Sequence, residues 1–179
     1  EKQEVVSYPS YYCSRGWTEL LFGKKSAAMR AFDKMFQNGL TESMAGEMCD
    51  AVFACILCGD SRRGRKYAGY LQRRLEKEKS AGGNSSKLEK GHLELEFLAA
   101  YYTETLEKLQ EILDREKDTE ICHICTSPIC QKMEGVRILF LLRLGKQEEA
   151  KARLRRNLEV QPWDVFMLAI KHMAFGDVL

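Results

Sequence analysis

Proline is scarce in this sequence: Pro9, Pro128 and Pro162 are the only three among 179 residues. The long intervals between them can run as uninterrupted helix, because nothing there removes a backbone donor or clashes with the preceding turn. Runs of β-branched residues are also few, whereas Leu, Ala, Glu, Lys, Arg and Met, all good helix formers, dominate. A strong excess of one charge is absent, since 28 Lys and Arg stand against 26 Asp and Glu for a net charge of +2. Bulk electrostatics therefore gives no reason to expect nucleic acid. No apolar run reaches the roughly 18 residues of a membrane span. No basic stretch followed by an apolar one opens the chain, so no secretory signal is expected. Catalytic chemistry is thinly supplied. There are three histidines, with no glycine-rich phosphate loop, no zinc-protease motif and no nucleophile elbow.

Cysteine is not scarce. Cys13, Cys49, Cys55, Cys58, Cys122, Cys125 and Cys130 make an odd count of seven, several on apolar helical faces. A small secreted scaffold would more often carry an even number in a loop-rich chain, so a reducing cytoplasmic setting is expected.

Apolar residues recur at three- and four-residue steps through most of the chain, the signature of amphipathic helix. The spacing predicts helices over about Tyr8 to Phe22, Lys24 to Gln37 and Glu42 to Cys58, with Thr41 or Ser43 as cap of the third. Further helices are expected to Glu78, over Lys87–Tyr102, Thr103–Lys117, Gln131–Leu144 and Gln147–Val160, and from Trp163 to Phe175. Asn38-Gly39 reads as a helix stop. A flexible linker is expected near 80–86, where Gly and Ser cluster, and a Cys/His loop near 118–130. The chain from 1 to 179 reads as one domain rather than two, since each half is short.

The turns repeat a spacing. Gly23 precedes Ala28 by five residues, Gly145 precedes Ala150 by five, and Gly59 precedes Gly64 by five. A turn glycine lets two antiparallel helices meet tightly. The small residue five later suits the point where the helices cross closest. An apolar residue follows four further on: Phe32, Ala68 and Leu154. Gly16 lies twelve before Ala28, and Pro162 twelve after Ala150. Gly23 and Gly59 are 36 residues apart, near the roughly 34-residue period of tetratricopeptide repeats.

On these residues the chain resembles the tetratricopeptide-repeat family, best in the last unit and least in the third, around Leu93 to Leu113. The family's Trp and Tyr positions are largely missing. The resemblance implies an all-α, right-handed stack of antiparallel helix hairpins with a C-terminal capping helix. It implies a concave groove, lined by the first helix of each pair, that takes a peptide or a partner helix. Trp163, Phe166, Met167, Ile170 and Ala174 would cover the end of the stack, or pair two copies of the chain as a homodimer.

Three local features carry candidate chemistry. Cys122, His123, Cys125 and Cys130 have ligand types that suit zinc. The second Cys pair of a zinc knuckle is absent, however, and the same loop reads as pinned by Ile121, Ile124, Ile129 and buried thiols. Apart from that zinc candidate, no cofactor is expected. Arg62, Arg63, Arg65, Lys66, Arg73 and Arg74, interleaved with Tyr67 and Tyr70, form a basic patch. It reads as a solvated helix face, a contact for an acidic partner, or a nucleic-acid contact. Lys151, Arg153, Arg155 and Arg156 form a weaker one. The expected function is a non-catalytic protein–protein interaction module: adaptor, scaffold or chaperone-like subunit. The alternative is a helical sensor or effector domain of a regulatory protein, touching nucleic acid through its basic helices.

Overall fold

The computed structural model describes residues 9–37, 44–80, 89–115 and 128–176, with side chains described from 93 and 131 onward in the last two segments. Among the described residues all regular structure is helical. The described residues form nine α-helices: α1 Pro9–Leu21, α2 Lys25–Gln37, α3 Ala45–Cys58, α4 Ser61–Ser80, α5 Glu89–Ala100, α6 Leu106–Asp114, α7 Pro128–Arg143, α8 Gln147–Val160 and α9 Val165–Ile170. A π-helical turn, Lys171–Phe175, continues α9. Among the described residues no helix is long and apolar enough to cross a membrane.

Three turns are built alike. Gly23, Gly59 and Gly145 have φ of 69°, 69° and 75°, a left-handed conformation that only glycine adopts cheaply. In each, the glycine N–H reaches back three residues and the next N–H reaches back five. The pairs are Gly23 to Leu20 and Lys24 to Glu19, Gly59 to Ile56 and Asp60 to Cys55, and Gly145 to Leu142 and Lys146 to Leu141. This pair of hydrogen bonds satisfies two of the last carbonyls of the first helix and reverses the chain. The N–H groups of Ala28, Gly64 and Ala150 then bond to Lys24, Asp60 and Lys146, which opens the second helix of each pair. The result is three hairpins: α1 with α2, α3 with α4, and α7 with α8.

Small residues set how closely helices approach. Ala28 and Ala150 are fully buried, as are Phe32 and Leu154. A Cβ on Gly16 would lie 2.6 Å from the Phe32 ring, and one on Gly64 would collide with Tyr102. Pro162 sits exposed between α8 and α9.

The centre of the molecule is α3. Every residue from Met48 to Leu57 except Ile56 is buried, and α3 touches α1, α2, α4, α5, α7 and the π-helical turn. A helix lining an open face would keep one polar stripe for solvent. The periodicity predicts a single inner stripe on this helix, from Met44 to Ile56. The structure buries Cys49, Asp50, Phe53, Ala54 and Leu57 as well, because α7 and the C-terminal segment close over the second side.

The last helix differs from the expected Trp163–Phe175 span. The Asp164 side chain accepts from the N–H groups of Phe166 (2.8 Å) and Met167 (3.1 Å), so the helix starts at Val165. Trp163 stays exposed and Ala174 faces solvent, while Met167, Ala169 and Ile170 are buried. The segment touches α1, α7 and α8 together. The caps expected at Thr41 and Ser43, and residues 81–86 and 118–127 of the expected linker and loop, lie outside the described residues, whereas Ser80 ends α4 and Pro128 to Cys130, expected as loop, open α7.

Candidate functional site

The face formed by α1, α3 and α7 is where the chain seats a short helix. Trp17 of α1, Phe53 of α3 and Phe166 of α9 meet as an aromatic triangle, with ring centroids 4.7 Å (Trp17–Phe166), 5.8 Å (Trp17–Phe53) and 5.9 Å (Phe53–Phe166) apart. The Trp17–Phe166 and Phe53–Phe166 pairs are edge-to-face, the arrangement that matches a ring's positive edge to a negative face. Gly135 of α7 makes room for the seating. A Cβ there would lie 2.9 Å from the Phe53 ring and 3.6 Å from Ile170. Phe166, Met167 and Ile170, the last one turn beyond the first two, thus act as anchors, with α8 also touching the segment.

Beside that triangle lies a buried cluster of charge. Asp50 of α3 and Glu94 of α5 are 9% and 6% exposed. Lys132 of α7 enters from the third side, with Nζ 2.7 Å from Asp50 Oδ1 and 5.3 Å from the centroid of the Phe166 ring. The Cys13 thiol donates to Asp50 Oδ2 at 3.3 Å. Burial pushes the Cys13 thiol up, and the Asp50 charge adds to that. Burial pulls the Lys132 ammonium down, but the carboxylates of Asp50 and Glu94 outweigh it and hold the group charged. Burial raises Glu94 to about 7, opposed by Lys132 and assisted by Asp50. No local motif announces these three residues. The one sequence signal is Asp50 itself, a lone charge inside the apolar run Met48–Cys58.

The basic patch of α4 separates into structural and free members. Arg63 is held by Asp33 of α2 (Nε–Oδ2 3.0 Å) and Asp60 (Nη1–Oδ2 2.6 Å). It clasps the two hairpins together. Arg74 pairs with Glu78 at 2.8 Å, and Arg73 lies over the Tyr70 ring at 4.6 Å. Arg62, Arg65 and Lys66 are exposed. The interleaved tyrosines are not presented to a ligand. Tyr67 is buried and donates its O–H to Asp33, and both Tyr67 and Tyr70 stack on Phe36. In α8, Arg153 turns inward to Glu134 (2.9 Å) and Lys151 pairs with Glu148 (2.9 Å), leaving Arg155 and Arg156 exposed.

Cys122, His123 and Cys125 lie outside the described residues, and Cys130 is placed only as backbone in α7. Among the described residues no group of three His, Cys, Asp or Glu side chains is arranged for a metal ion. Cys13, Cys49 and Cys55 are buried free thiols and Cys58 is half-buried.

Compared with protein-family models, curated proteins and solved structures, the chain matches none.

Proposed function

We propose that this chain is a non-catalytic protein–protein interaction module, a hairpin stack like that of the tetratricopeptide repeats, whose inner face takes a short amphipathic helix or peptide. The observation that carries the reading is the seating of α9. Six residues of helix, with Phe166, Met167 and Ile170 as anchors, are accommodated on α1, α3 and α7 by an aromatic triangle and a glycine notch. This is the geometry by which amphipathic helices are recognised in grooves. The three left-handed glycine turns and the small residues at close crossings support the repeat-like stack. The face is occupied by the chain's own C-terminal segment, so a partner that uses it competes with α9. The adaptor, scaffold or chaperone-like role and a cytoplasmic setting belong to this proposal.

The exposed trio Arg62, Arg65 and Lys66 favours a second reading, a regulatory domain touching nucleic acid. Its support is narrower than the sequence implies, because Arg63 and Arg74 are committed to carboxylates and Tyr67 is buried. Affinity capture from native lysate, followed by cross-linking mass spectrometry, separates the two. The interaction-module reading expects a stoichiometric protein that survives nuclease treatment, with cross-links on α1, α7 or α9. Retention that nuclease abolishes, with cross-links on Arg62, Arg65 and Lys66, overturns it in favour of the second.

A further inference from the structure

The connector between α8 and α9 exposes apolar surface that the fold does not use. Among the described residues five large hydrophobic side chains are exposed, and three of them, Val160, Trp163 and Val165, fall within six consecutive positions. The other two are accompanied: Tyr11 meets Tyr12 edge to face, and Lys24 lies over the Phe22 ring. Trp163 is 75% exposed, with no ring or cation against it among the described residues. The backbone nevertheless holds it in place. The Asp164 N–H donates to the Gln161 carbonyl at 3.2 Å. This closes a turn with Pro162 at its second position, where proline pre-sets the backbone, and Trp163 at its third. On the far side the Asp164 side chain caps α9. A large ring carried on ordered backbone loses little freedom when it is covered. Tryptophan is also among the residues that most often anchor the centre of an interface.

We propose that the surface formed by Arg156, Glu159, Val160, Trp163 and Val165 pairs two copies of this chain about a two-fold axis. The charges beside the apolar residues decide for a second copy. Arg156 and Glu159 are exposed neighbours on α8, and neither has an ion pair among the described residues. Val160 follows Arg156 by four and so shares its face. When two such α8 ends meet antiparallel, Arg156 of each copy opposes Glu159 of the other. Val160 and Trp163 of both copies are then enclosed between the two ion pairs. A two-fold contact requires this reciprocity, in which one residue meets a second and the second meets the first. A partner carrying a single sign of charge would be repelled by one of the two groups. The surface is small, so the pair is weak, with a dissociation constant of about 10–100 µM. The pairing is independent of the helix-binding reading, since none of the anchors Phe166, Met167 and Ile170 takes part in it.

Sedimentation equilibrium of the full chain between about 5 and 500 µM tests the pairing. The weight-average mass should rise from 20.6 kDa toward twice that value. Fluorescence gives a readout that needs no variant. The chain has two tryptophans, and Trp17 is buried, so a fall in acrylamide quenching with rising concentration reports the covering of Trp163. Trp163→Ser should weaken association at least about ten-fold, with the urea midpoint unchanged because the ring is exposed. Arg156→Glu and Glu159→Arg should each weaken it about three- to ten-fold, and the two together should restore it. A chain still monomeric at about 500 µM overturns the proposal. So does a dimer that Trp163→Ser leaves unchanged, or one that the double charge exchange forms no better than either single variant.

Discussion

Gly16 and Gly69 both lie inside helices, but their surroundings have opposite consequences. A methyl at Gly16 would meet the ring of fully buried Phe32, which has nowhere to go. Gly16→Ala is therefore expected to destabilise by about 1–3 kcal/mol. A Cβ at Gly69 has nothing within 4 Å, so Gly69→Ala should stabilise by about 0.5–1 kcal/mol through backbone entropy alone. Urea unfolding of both variants gives the comparison, and a Gly16→Ala variant as stable as the native chain would contradict the close crossing. Tyr67 allows a similar test. Its O–H is bonded to Asp33 in a buried position, so Tyr67→Phe should cost about 1–2 kcal/mol. The thiols provide a third. Cys13, Cys49 and Cys55 are buried and raised by desolvation, while half-buried Cys58 is raised to about 11. A short iodoacetamide pulse on native protein, mapped by mass spectrometry, should leave the first three unlabelled until denaturant is added. The turn glycines were legible in the sequence because a positive φ is a local demand. The Asp50–Lys132–Glu94 cluster was not, because its members lie far apart along the chain and only packing brings them together.

At the scale of elements, α9 is the informative case. Its start depends on Asp164, which is buried and caps two backbone N–H groups. Asp164→Ala should cost about 1 kcal/mol, and the loss should appear as faster amide exchange in 165–175 before any change in the global unfolding midpoint. Unfolding that stays cooperative throughout, with no early exchange in this segment, would show that α9 is not a separate unit. The apolar stripe of this helix was readable from Phe166, Met167 and Ile170. Its docking site was not, since periodicity reports that a face is buried and never against what. The same limit explains α3. Its inner stripe was evident, but burial of the opposite side depends on helices contributed much later in the chain. In α4 the apolar spacing predicts an inner stripe of Gly64, Ala68, Leu71 and Leu75, and the structure buries these together with Tyr67, because only one side of that helix meets the core.

For the whole molecule, the Glu94 carboxyl links stability to pH. Its midpoint in the folded chain, about 7, lies above the ordinary 4.5, so the folded state binds the extra proton. The stabilisation is fully present below about pH 4.5 and is lost as pH rises through 7, amounting to about 3 kcal/mol at most. Denaturant midpoints measured from pH 5 to pH 8.5 should fall for the native chain and stay flatter for Glu94→Gln. A native chain that becomes more stable over this range would contradict the assignment. The central place of α3 has a further consequence, which concerns time rather than energy. The helix leaves the ribosome about seventy residues before α7 begins at Pro128. At ordinary rates of synthesis that leaves a strongly apolar segment without its later covering for roughly 4–14 s. The nascent chain is thus most vulnerable to aggregation, and most attractive to a general chaperone, when its first two hairpins exist and the helices that enclose α3 have yet to be made.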